Sequence, residues 1–197
     1  YSWNTDVYDA LTKIAPTVIA TSSSWTATAA AVADAVGQTA KLQALVQQLA
    51  TRSAAIKTTY AATLSQYRWD ILQGGFDTGQ YWLYGPGSDI GQIMTGAGVQ
   101  FATGSAQTPG NANRPLSYEH IDVLADAGVI GFYANNDGTP NNEGPQLFAQ
   151  EGFKALDAVN AGRLVPFPDF LPGGYGDALA ALDELEAGLK KLQAGTP

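Results

Sequence analysis

TAKLQALVQQLATRSAAIKTTYAATL, residues 39–64, carries the longest helical periodicity in the chain. Leu42, Leu45, Leu49, Ile56, Tyr60 and Leu64 recur near every 3.6 residues, with one gap at Ser53. Gln, Lys, Arg and Thr fill the other positions. One helix over this span would be about 39 Å long, beyond the usual globular length, and predicts a structural spine.

On the amino-terminal side the texture is mixed. Val7, Leu11 and Ile14 suggest a short helix over 6–14, and Pro16 breaks it. Thr17-Val18-Ile19-Ala20 reads as a strand, 22–24 as a capping loop, and 25–36 as a helix stopped by Gly37. On the carboxyl side, Trp69–Leu72 and Tyr81–Tyr84 read as strands of a hairpin turning through 76–80. Ser88 or Asp89 caps a helix to Ala97. Residues 102–116 read as a polar Gly/Pro/Asn loop. Ser117 caps a helix over 118–126, and Val129–Tyr133 is a buried strand. A second long loop, 134–145, leads to a helix over 146–159, a strand at Leu164–Phe167 and a closing helix over 174–193.

From residue 66 the order is β-β-α-α-β-α-β-α. Helical crossovers between strands imply an α/β fold, a parallel sheet covered by helices on both faces. Ligands of such sheets sit beyond the carboxyl ends of the strands, here Tyr84-Gly85, Tyr133-Ala134 and Phe167-Pro168. The two longest loops, 102–116 and 134–145, are expected at that edge.

Composition narrows the function. Charged residues are only 14%, against 45% hydrophobic, so the chain buries a core. Net charge is −8, which repels phosphate backbones and argues against nucleic acid. Cysteine is absent, which removes disulfides and thiolate chemistry. His120 is the single histidine and cannot build a zinc site alone. No G-x-S-x-G elbow is present. Gly85-x-Gly87-x-x-x-Gly91 follows a strand, but the spacing is not dinucleotide-binding and no acidic residue follows before 118. These glycines read as a tight turn. Asp177, Asp183, Glu184 and Glu186 read as the solvated face of the last helix, and Asp122 as solvated.

Five further stretches add a resemblance. IAPTVI (14–19), YWLYGPGSDIGQIMTGAGV (81–99), LSYEHIDVLADAGVIGFY (116–133), GFKALDAVNAGRLVPF (152–167) and GGYGDALAALDELEAGL (173–189) stand in one order around the long helix. Together they resemble the iron-siderophore and cobalamin class of ABC-importer substrate-binding proteins, two lobes joined by one helix. The resemblance implies a division into 1–37 (the end of an N-terminal lobe), 38–65 (the inter-lobe helix) and 66–197 (the C-terminal lobe). Family members carry the rest of that first lobe ahead of IAPTVI. It implies an extracytoplasmic, monomeric binding protein with no catalysis and no resident cofactor, delivering a ferric siderophore to ABC permease subunits. The signal segment and any lipoprotein anchor would precede Tyr1. Haem or a corrinoid is the alternative ligand, and an α/β hydrolase using His120 the alternative class.

For the site, the resemblance implies that Glu119, in the Ser-x-Glu motif, docks the permease; helix-start chemistry explains it equally. Asp126 of the Ala-Asp motif is expected to be structural. The chelator fills the iron's coordination sphere, so recognition needs aromatic faces and a few polar groups. Candidates are Trp82, Tyr84, Arg114, Tyr133, Asn135 with Asn136, Phe167, Asp169, Phe170 and Tyr175. One of the alternating pairs Trp82/Tyr84 and Tyr81/Leu83 must face the core.

Overall fold

A computed structural model describes residues 7–19, 24–110 and 113–195. Helix α1 is short (Tyr8–Leu11) and α2 spans Trp25–Ala35. Residues 16–19 form no strand, and Ala20 lies outside the described residues. The expected rod is two helices, α3 (Thr39–Thr59) and α4 (Ala61–Gln66), broken at Tyr60, where φ is −108° and ψ 21°. Thr58 precedes the break and donates to Ala54 O at 2.9 Å, the i−4 back-bond that bends helices. The remaining spine is 21 residues, about 32 Å. It keeps its apolar stripe, with Leu42, Leu45 and Leu49 half-buried and Ile56 and Tyr60 buried.

Strands β1 (Arg68–Gly74) and β2 (Gln80–Tyr84) form the expected hairpin. Helix α5 (Asp89–Gly96) follows, capped by Ser88 Oγ accepting from Gly91 N–H at 3.1 Å. A Cβ added at Gly91 would lie 2.0 Å from Gly85 O, so the glycines do close a tight turn.

The loop expected over 102–116 is more ordered than its composition suggested. After β3 (Gln100–Phe101) it holds α6 (Thr103–Ala106) and β4 (Asn113–Ser117). Pro115 is tolerated because β4 is an edge strand, and Leu116 alone gives no period-2 signal. Residues Tyr118–Leu124 form a 3-10 helix, not an α-helix, and Ser117 makes no side-chain capping bond. Strand β5 is Val129–Tyr133. The single helix expected over 146–159 is three short ones: α7 (Gly144–Phe148), α8 (Glu151–Lys154) and α9 (Asp157–Asn160). Gln150 and Leu156 are extended between them, which lets Leu147, Phe153 and Ala158 each enter the same core. Strand β6 (Leu164–Phe167) and helix α10 (Tyr175–Gln193) complete the chain.

The sheet runs β4-β2-β1-β5-β6, with β3 beside the start of β1. β1, β5 and β6 are parallel, while β2 is antiparallel to β1 and to β4. One face packs α3, α4, α5 and α10 around Trp69, Ile71, Met94, Leu182 and Leu185. The other packs α6 to α9 and the 3-10 helix around Leu72, Leu83, Ile130 and Phe153. Helices on both faces explain why β1 is buried from Trp69 to Gly74. The spine is held to the last helix by polar contacts: Arg52 pairs with Asp183 and Glu186, and Tyr60 Oη donates to Glu186 at 3.1 Å. No helix among the described residues is long and apolar enough to cross a membrane.

Candidate functional site

The reversal of β2 changes which residues share the rim. Its carboxyl end, Tyr84-Gly85, points away from the carboxyl ends of β1, β5 and β6; Tyr84 lies opposite Ile71, in mid-strand. The rim proper is built by the 75–79 turn, the segment after β5 and the segment after β6. Residues 107–110 lie near the start of β4, at the other edge, so the expected grouping of the two long loops is not observed.

Pairing registers place the site residues in rows on the face covered by α5 and α10. Trp82 sits opposite Gln73 and opposite Pro115. Leu72 opposite Phe132 sets Gln73 beside Tyr133, and Tyr133 is opposite Phe167. The upper row therefore reads Pro115, Trp82, Gln73, Tyr133, Phe167. The row below reads Asn113, Tyr84, Ile71, Gly131, Val165. Paired residues direct their side chains to one face.

Aromatic contacts finish this wall. Phe76, 67% exposed, meets Trp82 edge-on at 4.8 Å. Phe170 meets Tyr84 edge-on at 4.9 Å and stacks on Tyr133 at 5.5 Å. Tyr175, which opens α10, meets Trp25 of α2 at 4.8 Å. Trp82, Tyr133 and Tyr175 are half-buried. Of the expected pair on β2, Trp82 and Tyr84 face the wall, while Tyr81 and Leu83 enter the opposite core.

Four expected site residues stand differently. Phe167 is 0% exposed and offers no surface to a ligand. Phe170 is also 0% exposed and backs the rings around it. Arg114 is on β4 opposite Leu83, so strand alternation sends it to the other face of the sheet, away from Trp82 and Tyr84. Asn135 is exposed, but its amide is spent on its own loop, donating to Thr139 Oγ1 and accepting from Asn141 Nδ2, both at 3.0 Å.

Asp169 donates its N–H to the Glu184 carboxylate at 3.2 Å, which ties the Phe170 segment to α10. Glu184 is not the solvated residue its helix suggested. Burial pushes its carboxyl up to about 7, against the Asp169 N–H bond that pulls it down, with the Asp169 charge adding a smaller push upward. Glu186 is half-buried in the Arg52 cluster, and Asp177 accepts from Gly173 N–H at 2.8 Å. A cavity of about 330 Å³ flanks β6 and α10, lined by Asn136, Asp137, Pro166, Glu184 and Lys191 among others. It touches none of the aromatic wall, so the two are separate features.

Two residues of the wall were missed in the sequence. Phe76 lies in the hairpin turn. Gln73 continues the alternation of Trp69 and Ile71 one step further, and that period-2 extension was the available signal.

Glu119 is exposed at the start of the 3-10 helix, at the carboxyl edge, because Ser117 is opposite Gln80. His120 is exposed, and its carbonyl accepts from Tyr81 Oη at 2.8 Å. Asp126 accepts from Thr103 N–H at 3.0 Å and from its hydroxyl at 2.6 Å, a structural role that holds its carboxyl below the usual range. Among the described residues no three His, Asp or Glu side chains group as metal ligands.

The fold is thus a mixed sheet with helices on both faces, an aromatic wall at one edge and a long helix leading in. The periplasmic binding protein family model matches residues 1–169, and the chain belongs to that family. Its structure is similar to that of the siderophore periplasmic binding protein from the fuscachelin gene cluster of Thermobifida fusca. The identity is 26%, the TM-score 0.83, and the match covers 96% of this chain and 70% of that one. A FhuD fold-family periplasmic binding protein component of a ferrichrome ABC transporter from Bacillus subtilis is 19% identical, with TM-score 0.74 over 92% of this chain and 70% of that one. SirA of Staphylococcus aureus, complexed with staphyloferrin B, is 21% identical, with TM-score 0.71 over 95% and 68%. No curated protein matches the chain.

Proposed function

We propose that this chain provides the C-terminal lobe and connecting helix of an extracytoplasmic binding protein that captures a ferric siderophore and delivers it to an ABC permease. The observation that carries the reading is the aromatic wall of Phe76, Trp82 and Tyr133 at the carboxyl edge of the parallel strands, with Tyr84 one row below. Its support is the T. fusca protein, named as a siderophore-binding protein, which the chain resembles at 26% identity. Ring faces of this kind bury the organic shell of a chelate without contributing a ligand to its iron.

On this reading residues 66–197 are the C-terminal lobe, 38–65 the connector and 1–37 the end of the other lobe; the sheet, which lies wholly within 68–167, supports the first of these, while Trp25 of α2 packs on Tyr175 of α10. The Arg52 cluster ties the connector to α10 of the lobe it leads into. Exposed Glu119 pairs with a basic permease residue and guides docking, where charge sets orientation and on-rate. No bond of the ligand is made or broken, and the protein acts as a monomer.

Calorimetric titration with ferric siderophores tests this. Trp82→Ala is expected to weaken binding roughly 10- to 30-fold, about 1.4–2 kcal/mol for a buried aromatic anchor. If ferric hydroxamate, catecholate and carboxylate siderophores all leave the wild-type chain without measurable heat or thermal shift, the reading fails.

A further inference from the structure

Gln73 sits in the middle of the aromatic wall and is 1% exposed. Its Oε1 accepts from Tyr84 Oη at 3.0 Å, and Tyr84 Oη accepts from Asn113 Nδ2 at 3.4 Å. The relay runs donor to acceptor, Asn113 to Tyr84 to Gln73, and ends on an amide nitrogen without a hydrogen-bond partner. Turning the carboxamide by half a turn would spend Nε2 on Tyr84 and orphan Oε1 instead, so one atom stays unpaired either way. Burying an unpaired amide costs stability, and the neighbouring strand positions Ile71 and Leu72 show that apolar side chains fit here. In the observed orientation the wall presents N–H donors, and each bond of the relay strengthens the next.

The wall is also uncharged. Neither sheet row carries Lys or Arg, and Arg114, the cation nearest in sequence to its edge, is on the opposite face. An uncharged donor among ring faces suits a neutral chelate with acceptor oxygens on its rim. A multiply anionic chelate would ask for cations that these positions do not offer.

We infer that Gln73 is the polar anchor of the wall, donating from Nε2 to a rim oxygen of a charge-neutral ferric chelate of the trihydroxamate kind. Gln73 is 1% exposed, so this role requires the aromatic packing beside it to shift when the chelate enters. This deepens the siderophore reading and rests on it.

The test is calorimetric titration of the wild-type chain, Gln73→Met and Gln73→Leu with two probes: ferrichrome, a neutral trihydroxamate, and ferric staphyloferrin B, an anionic carboxylate chelate. The wild type is expected to prefer ferrichrome. Gln73→Met, similar in size and lacking donors, is expected to lose about tenfold in ferrichrome affinity with little change in melting temperature. Gln73→Leu also removes the donors and places no ionisable group in the buried position, so it reports on them even if the methionine variant does not fold; it is expected to lose at least as much. Full ferrichrome affinity in a folded variant would remove Gln73 as anchor. Tighter binding of ferric staphyloferrin B by the wild type would overturn the neutral-ligand assignment. Absence of binding to both probes and to a ferric catecholate would overturn the siderophore reading itself, a result distinct from the other two.

Discussion

Asp70→Asn should make this protein more stable at neutral pH. Asp70 lies on β1, 0% exposed, in the face opposite the aromatic wall. Its Oδ1 accepts from Ser105 N–H at 2.7 Å, Ser105 Oγ accepts from Ile71 N–H at 3.0 Å, and Asp70 Oδ2 has no partner. Burial pushes the carboxyl from its ordinary 3.8 up to about 6, against the Ser105 bonds that pull it down, with Asp126 adding a smaller push upward. A folded-state value above the unfolded one means that the native protein holds the proton more tightly. The stability this confers is complete below 3.8 and is lost as pH rises through about 6. At about 1.4 kcal/mol per pH unit, the loss is roughly 3 kcal/mol. Asparagine keeps the acceptor for Ser105 and carries no charge. Urea unfolding followed by circular dichroism, at steps from about pH 4 to 8, measures the difference between variant and wild type. That difference should be near zero at the acid end and grow to roughly 2–3 kcal/mol in favour of the variant at pH 7, flat above. A difference that does not change with pH, or a variant less stable than the wild type at pH 7, would refute the reasoning.

Glu184→Gln should show the same sign in a different window. Its carboxyl lies at about 7, so the melting-temperature advantage of the variant should rise between about pH 4.5 and 7.5; an advantage independent of pH would contradict this. Gly188→Ala should destabilise by about 1–2 kcal/mol. A Cβ there would lie 2.6 Å from Val165 Cγ1, a β-branched side chain with little room to turn, and overpacking outweighs the better helix propensity; adding Val165→Ala should restore the loss in chemical denaturation. Glu119→Ala should leave the calorimetric affinity for a ferric siderophore unchanged and slow uptake in cells, most clearly at low ionic strength. Normal uptake would dismiss its docking role.

Sequence periodicity determined the helices with a continuous amphipathic stripe and the strands with a continuous buried face. Residues 39–59, 89–96 and 175–193, and the hairpin with β5 and β6, were legible because local spacing alone sets which side is apolar. Trp82, Tyr84 and Tyr133 were named from the sequence as candidates, and the strand registers place them on one face. Five features belonged to the tertiary structure. The break at Tyr60 falls where its ring is buried and its hydroxyl reaches Glu186 on a distant helix, contacts that local periodicity does not encode. Strand β4 exists only because β2 supplies its hydrogen bonds. The face chosen by Arg114 and the burial of Phe167 follow from register, and a one-residue difference in pairing reverses a side chain's face. Gln73 became visible only when the strands on either side placed Trp82 and Tyr133 beside it. Local chemistry writes periodicity into a chain, but which polar atom is left unpaired is a property of neighbours that the chain brings together only on folding.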